Sequence, residues 1–350
     1  MNAPVFQKAD FTLCDVPVPK GYPQSQTHAG VAIFENKYYL TTSPFPGPQY
    51  GVWEARFRKL VRTLSFGKYC PVYCGEKYEN PCIYIGSEQD NRIPARFKLM
   101  QQSALMENPE SFFGFPSYNS DPDIFIEKGV IHVLNRCVIR TKVYNDYRPY
   151  DFKTQIYLLK GVDEHGHFKL MSNQLVRESD DNYVSPSLIK FKDQYLVAFL
   201  DNRLVHRKVI FDNLFLSTAE TVEEAIKAEN KHSVKVNGGD MLPWHMSLFQ
   251  FDCNLYSVIT CVRKDDLKLK MWQMLGVFNE DLTELDIFQT PLSDYCSYRG
   301  AALVTEDGTF VLYNTTLRDW VKGSRSIDGR DVIVASCRFT DLLKRMKEND

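Results

Sequence analysis

Hydrophobic and polar positions alternate along much of this chain, and the alternation comes in a phrase that occurs five times. An approach loop leads into a short apolar strand, a tight turn, and a second strand rich in aromatic and β-branched residues. The copies open at His28 (HAGVAIFENKYYL), Asp121 (DPDIFIEKGVIHV), Ser185 (SPSLIKFKDQYLVAF), His245 (HMSLFQFDCNLYSV) and Arg299 (RGAALVTEDGTFVLY). A period-two pattern over four to eight residues, bounded by turn residues, predicts strands. A repeated phrase also fixes architecture before any single motif does.

Further strands follow each opening pair. The second copy continues with DFKTQIYLLKG and HFKLMSNQLV, the third with KVIFDNLFLST and HSVKVNG, and the fourth with LKMWQMLGVF and LDIFQTPL. In the fifth, DVIVASCRF supplies a third strand, and the N-terminal DFTLCDV is expected to supply the fourth and close a ring. Four-stranded units repeated about an axis make a β-propeller, which leaves little open sheet edge. The expected fold is therefore all-β: a five-bladed β-propeller of four-stranded antiparallel blades, forming one domain over 1–350. From the second copy onward the starts lie 54–64 residues apart, against 93 between the first and second. The excess is read as a helical insertion in the first blade, about 51–115. It contains the amphipathic stretch WEARFRKLVRTL and a second helical stretch, ARFKLMQQSALM. Helices are also expected at TAETVEEAIKAEN and at the C-terminal TDLLKRMKEND.

Composition narrows the partners. With 42 basic and 44 acidic residues the net charge is −2, which gives no electrostatic footprint for nucleic acid or an anionic membrane. No run approaches the ~18 apolar residues of a membrane span. The N-terminal MNAPVFQKADFTL lacks the basic and apolar regions of a signal peptide, so a cytoplasmic protein is expected. Nine scattered cysteines fit buried thiols in a reducing compartment. Cys70, Cys74 and Cys82 lack the C-x2-C spacing of a zinc site, and no D-x-D-x-D-G loop is present. Neither a metal nor another cofactor is expected.

In a propeller the first residues of all copies converge near the axis. Here they are two imidazoles, a carboxylate, a hydroxyl and a guanidinium, where apolar groups would simply plug the channel. Convergent polar groups in a concave site are candidates for binding and catalysis; the competing reading is a polar, water-filled channel. Asp180, Asp240 and Asp294 each precede an opener by five residues, as turn-capping groups or as a carboxylate rim together with Asp181. Tyr118, Tyr183, Trp244 and Tyr298 flank the openers, where aromatic faces suit the apolar face of a sugar ring.

With Asp121-Pro122-Asp123-Ile124-Phe125 opening the second copy and Tyr38-Tyr39-Leu40 following the first turn, the chain resembles a family of five-bladed propellers. These are the glycoside hydrolases typified by family 43 arabinanases and xylosidases, with levansucrase- and invertase-type relatives and families 32, 68, 117 and 130. The resemblance implies a general base from the first blade, an orienting Asp from the second, and a general-acid Glu two residues before a Pro in the third. Asp121 matches the second. His28 stands in place of the first and Val184, two before Pro186, in place of the third, so the catalytic set is degenerate. Some relatives hold a cation near a central His.

Three readings follow. The first is a carbohydrate-active enzyme, glycoside hydrolase- or phosphorylase-like, with non-standard acid and base groups. His28 and His245 would act with Asp121, since a histidine titrates near neutral pH. Arg299, Ser185, Asp181, Asp240, Trp244, Tyr183 and Tyr298 would bind the oligosaccharide, and in the phosphorolytic variant Arg299 and the histidines would hold phosphate. The second is a non-catalytic glycan-binding or polysaccharide-assembly propeller. The third is a protein-interaction platform.

Overall fold

The computed structural model describes residues 3–22, 25–45, 60–61, 63–64, 78–86, 93–109, 117–142, 151–205, 208–264, 266, 270–293, 297–317 and 330–349. Twenty strands lie within them. A two-residue strand, β1 (Thr12–Leu13), comes first. The first full unit is β2 (Gln26–Phe34), β3 (Lys37–Pro44), β4 (Cys82–Gly86) and β5 (Phe97–Leu99). The second is β6 (Tyr118–Glu127), β7 (Val130–Lys142), β8 (Asp151–Glu164) and β9 (His167–Ser179). Next come β10 (Val184–Phe191), β11 (Gln194–Val205), β12 (Lys208–Ala219) and β13 (His232–Asn237). They are followed by β14 (Met241–Phe251), β15 (Asn254–Arg263), β16 (Met271–Phe278) and β17 (Glu284–Ile287). The last three are β18 (Ser297–Val304), β19 (Thr309–Leu317) and β20 (Arg330–Arg338).

Within each unit neighbouring strands pair antiparallel in chain order. The N-terminal β1 adds to the outside of β20 through Thr12↔Val334 and Leu13↔Ile333, as DFTLCDV led us to expect. One feature escapes the pattern: β13 and β17 pair parallel over Lys235–Asn237 and Glu284–Asp286, which merges two units into one eight-stranded sheet. The innermost strands pack in sequence, β2 on β6, β6 on β10, β10 on β14, β14 on β18, and β18 back on β2. The architecture is a β-propeller.

Turn chemistry explains the inner hairpins. Glu35-Asn36, Lys128-Gly129, Lys192-Asp193 and Asp252-Cys253 each carry positive φ at both positions, between 46° and 78°. Two-residue turns of this kind match the twist of antiparallel strands. Between the sheets lie apolar layers. Phe191, Leu196, Met246 and Ile259 fill the space between β10–β13 and β14–β17, while Leu40, Tyr84, Val311 and Tyr313 join β2–β5 to the last sheet.

Among the described residues, two α-helices pack against the sheets. The first, α1 (Val222–Lys227), is capped by Thr221, whose hydroxyl accepts from the Glu224 N–H. The second, α2 (Phe339–Asn349), continues directly from β20. Its Phe339 is fully buried among Phe249, Phe251, Tyr256 and Phe310, with ring centroids 5.0–5.6 Å away.

The stretch ARFKLMQQSALM is not helical. Phe97–Leu99 form β5 against Cys82–Gly86, and the Met100 N–H continues the pairing to the Ile83 carbonyl. An open sheet edge with unpaired carbonyls outweighs the helical propensity of this segment. Of the helix expected over 53–64, positions 60, 61, 63 and 64 are described and helical. The remainder, with Cys70, Cys74, Asp294 and Cys296, lies outside the described residues. Cys82 is a free, buried thiol in β4.

Candidate functional site

Each opener sits at a β-bulge. Register with the neighbouring strand shifts between Thr27 and Gly30, Ser120 and Asp123, Val184 and Ser187, Pro243 and His245, and Ser297 and Gly300. Such bulges re-aim side chains out of the pleat. At His28, Asp121 and Ser185 the backbone is left-handed, with φ of 57°, 50° and 50°. All five openers are thereby turned inward and are buried.

Three of them meet. His28 Nδ1 lies 2.8 Å from Asp121 Oδ1, and His245 Nδ1 lies 3.5 Å from the same oxygen. Ser185 Oγ is 2.6 Å from His245 Nδ1. Ser185 and Asp121 thus address one nitrogen of His245, which is not the arrangement of a Ser–His–Asp triad, where they occupy opposite nitrogens. The other carboxylate oxygen of Asp121 accepts from Arg136 Nη1 at 3.1 Å. Arg136 is itself fixed by the carbonyl and side-chain oxygens of Asn182. On the far side of His28, Nε2 lies 3.4 Å from Ser120 Oγ and 3.7 Å from Glu79 Oε2.

The charge state follows from this packing. Burial pushes the Asp121 carboxyl up, but the two imidazoles and the permanent charge of Arg136 pull it well below the usual carboxylate range. Burial lowers both histidines. Asp121 opposes this, while Arg299 and Arg330 beside His28, and His28, Arg299 and Arg136 beside His245, add to it. The packing favours the anion at Asp121 and disfavours a charge on either imidazole.

Below it lies a polar belt. Arg299 is completely enclosed and donates to the Pro122 carbonyl (2.9 Å), Asp123 Oδ1 (3.2 Å) and the Pro186 carbonyl (3.5 Å). Asp123 Oδ2 accepts from Ser187 Oγ and the Leu188 N–H, and Ser187 Oγ accepts from the Leu248 N–H. Gly30 faces Asp123 from β2, where a Cβ would lie 2.8 Å from Thr41 Cγ2 and 3.3 Å from Asp123 Oδ1. Asp123 also lines a cavity of about 560 Å³ at the opposite ends of the inner strands, with Phe125, Glu127, Lys190 and Gln250. None of the residues expected from sequence to form the site lines that cavity.

The remaining expected residues divide. Tyr298 contacts both histidines, with ring centroids 5.3 Å from His28 and 4.7 Å from His245, and burial pushes its hydroxyl up to about 12. Trp244 is half-buried beside His245 at 5.6 Å. Tyr183, expected as a sugar platform, stacks on Phe199 at 3.5 Å and donates its hydroxyl to the Ile226 carbonyl. Its apolar neighbours Phe199, Val222 and Ile226 draw it into the core. Asp181 pairs with Lys231 and Arg177, away from the three-residue centre. Asp240 is exposed in the turn before β14, and its backbone carbonyl accepts from the Lys264 N–H, as a turn residue does.

Glu79, Arg136 and Arg330 complete the surroundings and were not singled out from sequence. The Arg330 guanidinium lies over the Tyr298 ring at 4.1 Å. Arg136 falls on β7 opposite Ser120, within a strand that alternates like any other. Glu79 arrives from the first-unit insertion, which has no counterpart in the other copies.

No protein-family model and no curated protein sequence matches the chain. Solved structures do. An N-acetylgalactosamine deacetylase from F. plautii, in complex with blood group B trisaccharide, superimposes with a TM-score of 0.57 at 12% identity, over 93% of this chain and 94% of that one. A family 43 β-xylosidase/α-arabinofuranosidase from a compost metagenome, in complex with xylotriose, gives 0.55 at 9% identity, over 89% and 91%. The endo-arabinase of Bacteroides thetaiotaomicron gives 0.55 at 11% identity, over 93% and 97%. At these identities the likeness is one of fold: the chain shares the propeller of the family 43 glycoside hydrolases. Among the described residues, no helix is long and apolar enough to cross a membrane.

Proposed function

We propose that this protein is a carbohydrate-active hydrolase acting on a glycan at the axis of a five-bladed propeller formed by residues 1–350 as one domain. Packing of β2, β6, β10, β14 and β18 each on the next supports the blade count. The observation that carries the functional reading is the meeting of His28, Asp121 and His245 from three separate units around one carboxylate oxygen.

Asp121 is enclosed, ionised and gripped by Arg136, so it cannot give up a proton and serves as the orienting anion. The two neutral imidazoles are the groups able to activate water, and Glu79 is a second carboxyl beside them. Tyr298 and Trp244 give the substrate aromatic faces next to the reacting groups. Arg299 supports the site from below, a position that favours hydrolysis over phosphate-dependent cleavage. Solved structures of similar fold include sugar-bound enzymes, which agrees with a glycan substrate.

The test is turnover of aryl glycosides, arabino- and xylo-oligosaccharides and N-acetylated sugars, with and without phosphate. We expect phosphate-independent hydrolysis of at least one class, reduced about 100-fold or more in Asp121→Asn. Glycan-array binding abolished by Trp244→Ala but unchanged in Asp121→Asn, with no turnover, would instead establish a binding propeller. Absence of both would leave only the interaction platform.

A further inference from the structure

We infer that His28, Asp121 and His245 form a binding site for one divalent first-row transition-metal ion, of the zinc type, open toward the axis of the propeller. The site rests on the centre proposed above, with the two imidazoles as ligands in place of water-activating groups, and its test does not depend on sugar turnover.

The first argument is distance. One ligand atom from each residue lies within 4.8 Å of the others. Around an ion with bonds of about 2.0–2.1 Å, neighbouring ligand atoms stand about 3–3.4 Å apart. The two imidazole Nδ1 atoms lie 2.8 and 3.5 Å from Asp121 Oδ1, on either side of that spacing. All three residues are more than nine-tenths buried, so the cluster is held by the fold.

The second argument is what these atoms fail to do for one another. His28 Nδ1 and Asp121 Oδ1 are close enough for a hydrogen bond, yet the ring does not aim at the carboxylate. Neither atom has a hydrogen-bond partner among the described residues. Buried polar atoms in that state cost free energy unless something satisfies them. An ion between the imidazole and the carboxylate oxygen satisfies both.

The third argument is the surrounding shell. A metal-bound histidine offers its other nitrogen to an oxygen acceptor, and a ligating carboxylate is held by its other oxygen. His28 Nε2 faces Ser120 Oγ and Glu79 Oε2, and Asp121 Oδ2 is held by Arg136. Asp121 and Glu79 supply negative charge against the ion and against the guanidinium of Arg136. Two imidazoles with one carboxylate suit zinc, manganese, iron or cobalt, whereas calcium and magnesium take oxygen ligands. Three protein ligands leave coordination positions open, as at reactive rather than structural metal centres. Ser185 Oγ, beside His245 Nδ1, is placed to touch a group bound there.

The probe is Co²⁺ alone. The full chain is stripped with a chelator and titrated with cobalt chloride, followed by visible absorption and calorimetry. We expect one ion per chain with ligand-field bands, affinity reduced at least 100-fold in Asp121→Asn and His245→Gln, and no change in Asp181→Asn. X-ray absorption of the cobalt-loaded wild type should show scattering from two imidazoles, a readout that needs no variant to fold. Saturation at other than one ion, unchanged binding in both variants, or absent imidazole scattering overturns the site. Tight one-to-one cobalt binding without turnover of any glycan upholds the site and counts against the sugar reading alone.

Discussion

Arg299 Nη2 lies 3.2 Å from Asp123 Oδ1 across 176 residues of chain, with both side chains shut away from solvent. This pair ties the last inner strand to the second directly beneath the candidate site. Arg299→Met leaves the Asp123 carboxylate with neutral donors, Ser187 Oγ and the Leu188 and Ile124 N–H groups, and no cation. Removing one member of a buried ion pair costs about 3–5 kcal/mol. Urea unfolding should show that loss, and Arg299→Met combined with Asp123→Leu should recover much of it. Equal stability of Arg299→Met and wild type would show that the pair does not brace the axis.

Arg136 holds Asp121 with one nitrogen while its other donors grip Asn182. A lysine cannot span both partners, because it presents a point charge rather than a planar fork. Arg136→Lys is therefore expected to lower kcat about 10- to 100-fold with KM little changed, on whichever glycan the wild type hydrolyses. Full activity in Arg136→Lys would mean that Asp121 keeps its place without the fork.

Phe339 carries the junction between the last sheet and the C-terminal helix. The four rings around it predict that Phe339→Ala costs about 3–5 kcal/mol, with Leu342→Ala at about 2–5 kcal/mol. Thermal melts followed by circular dichroism check this. A Phe339→Ala melt superimposable on wild type would show that α2 is not part of the cooperative unit.

Asp181 gives the clearest pH signature away from the site. Burial raises its pKa, but Lys231 and Arg177 lower it further, so the folded value lies below the ordinary one. Its contribution is present above the unfolded pKa near 3.9 and is lost as pH falls through the folded value. The pair is partly exposed, which limits the effect to about 0.5–1 kcal/mol. Asp181→Asn should thus be less stable than wild type at pH 7, and the gap should close as pH falls below the ordinary carboxylate range. A gap independent of pH would assign the effect to packing.

Much of this fold is legible in the alternation of the chain, because inner strands packed on both faces need apolar residues in a regular register. The two-residue turns are legible too, since Lys128-Gly129 and Glu35-Asn36 announce positive φ. The edge strand β5 is not. Phe97–Leu99 is three residues long, and a tertiary partner overrides the helical spacing around it. At the site, the repeat leads to His28, Asp121 and His245 because bulges recur where each phrase begins. It cannot lead to Glu79, which no other copy echoes, or to Arg136, whose polar side chain occupies an ordinary strand position. Tyr183 shows the opposite failure. Its position matches the aromatic flank, but the apolar surface of α1 claims it.

The left-handed backbone at His28, Asp121 and Ser185 has a consequence for how this chain came to be as it is. Glycine takes that conformation without steric penalty, whereas other residues give up roughly 1 kcal/mol or more each. Glycine at these bulges would relieve the backbone, although at Asp121 it would also strand the buried Arg136 guanidinium. Side chains stand instead where the backbone resists them, all three in contact with His245. Directed evolution for thermal tolerance, run without a functional screen, is expected to erase these positions first, and the order of their loss would rank what each one does.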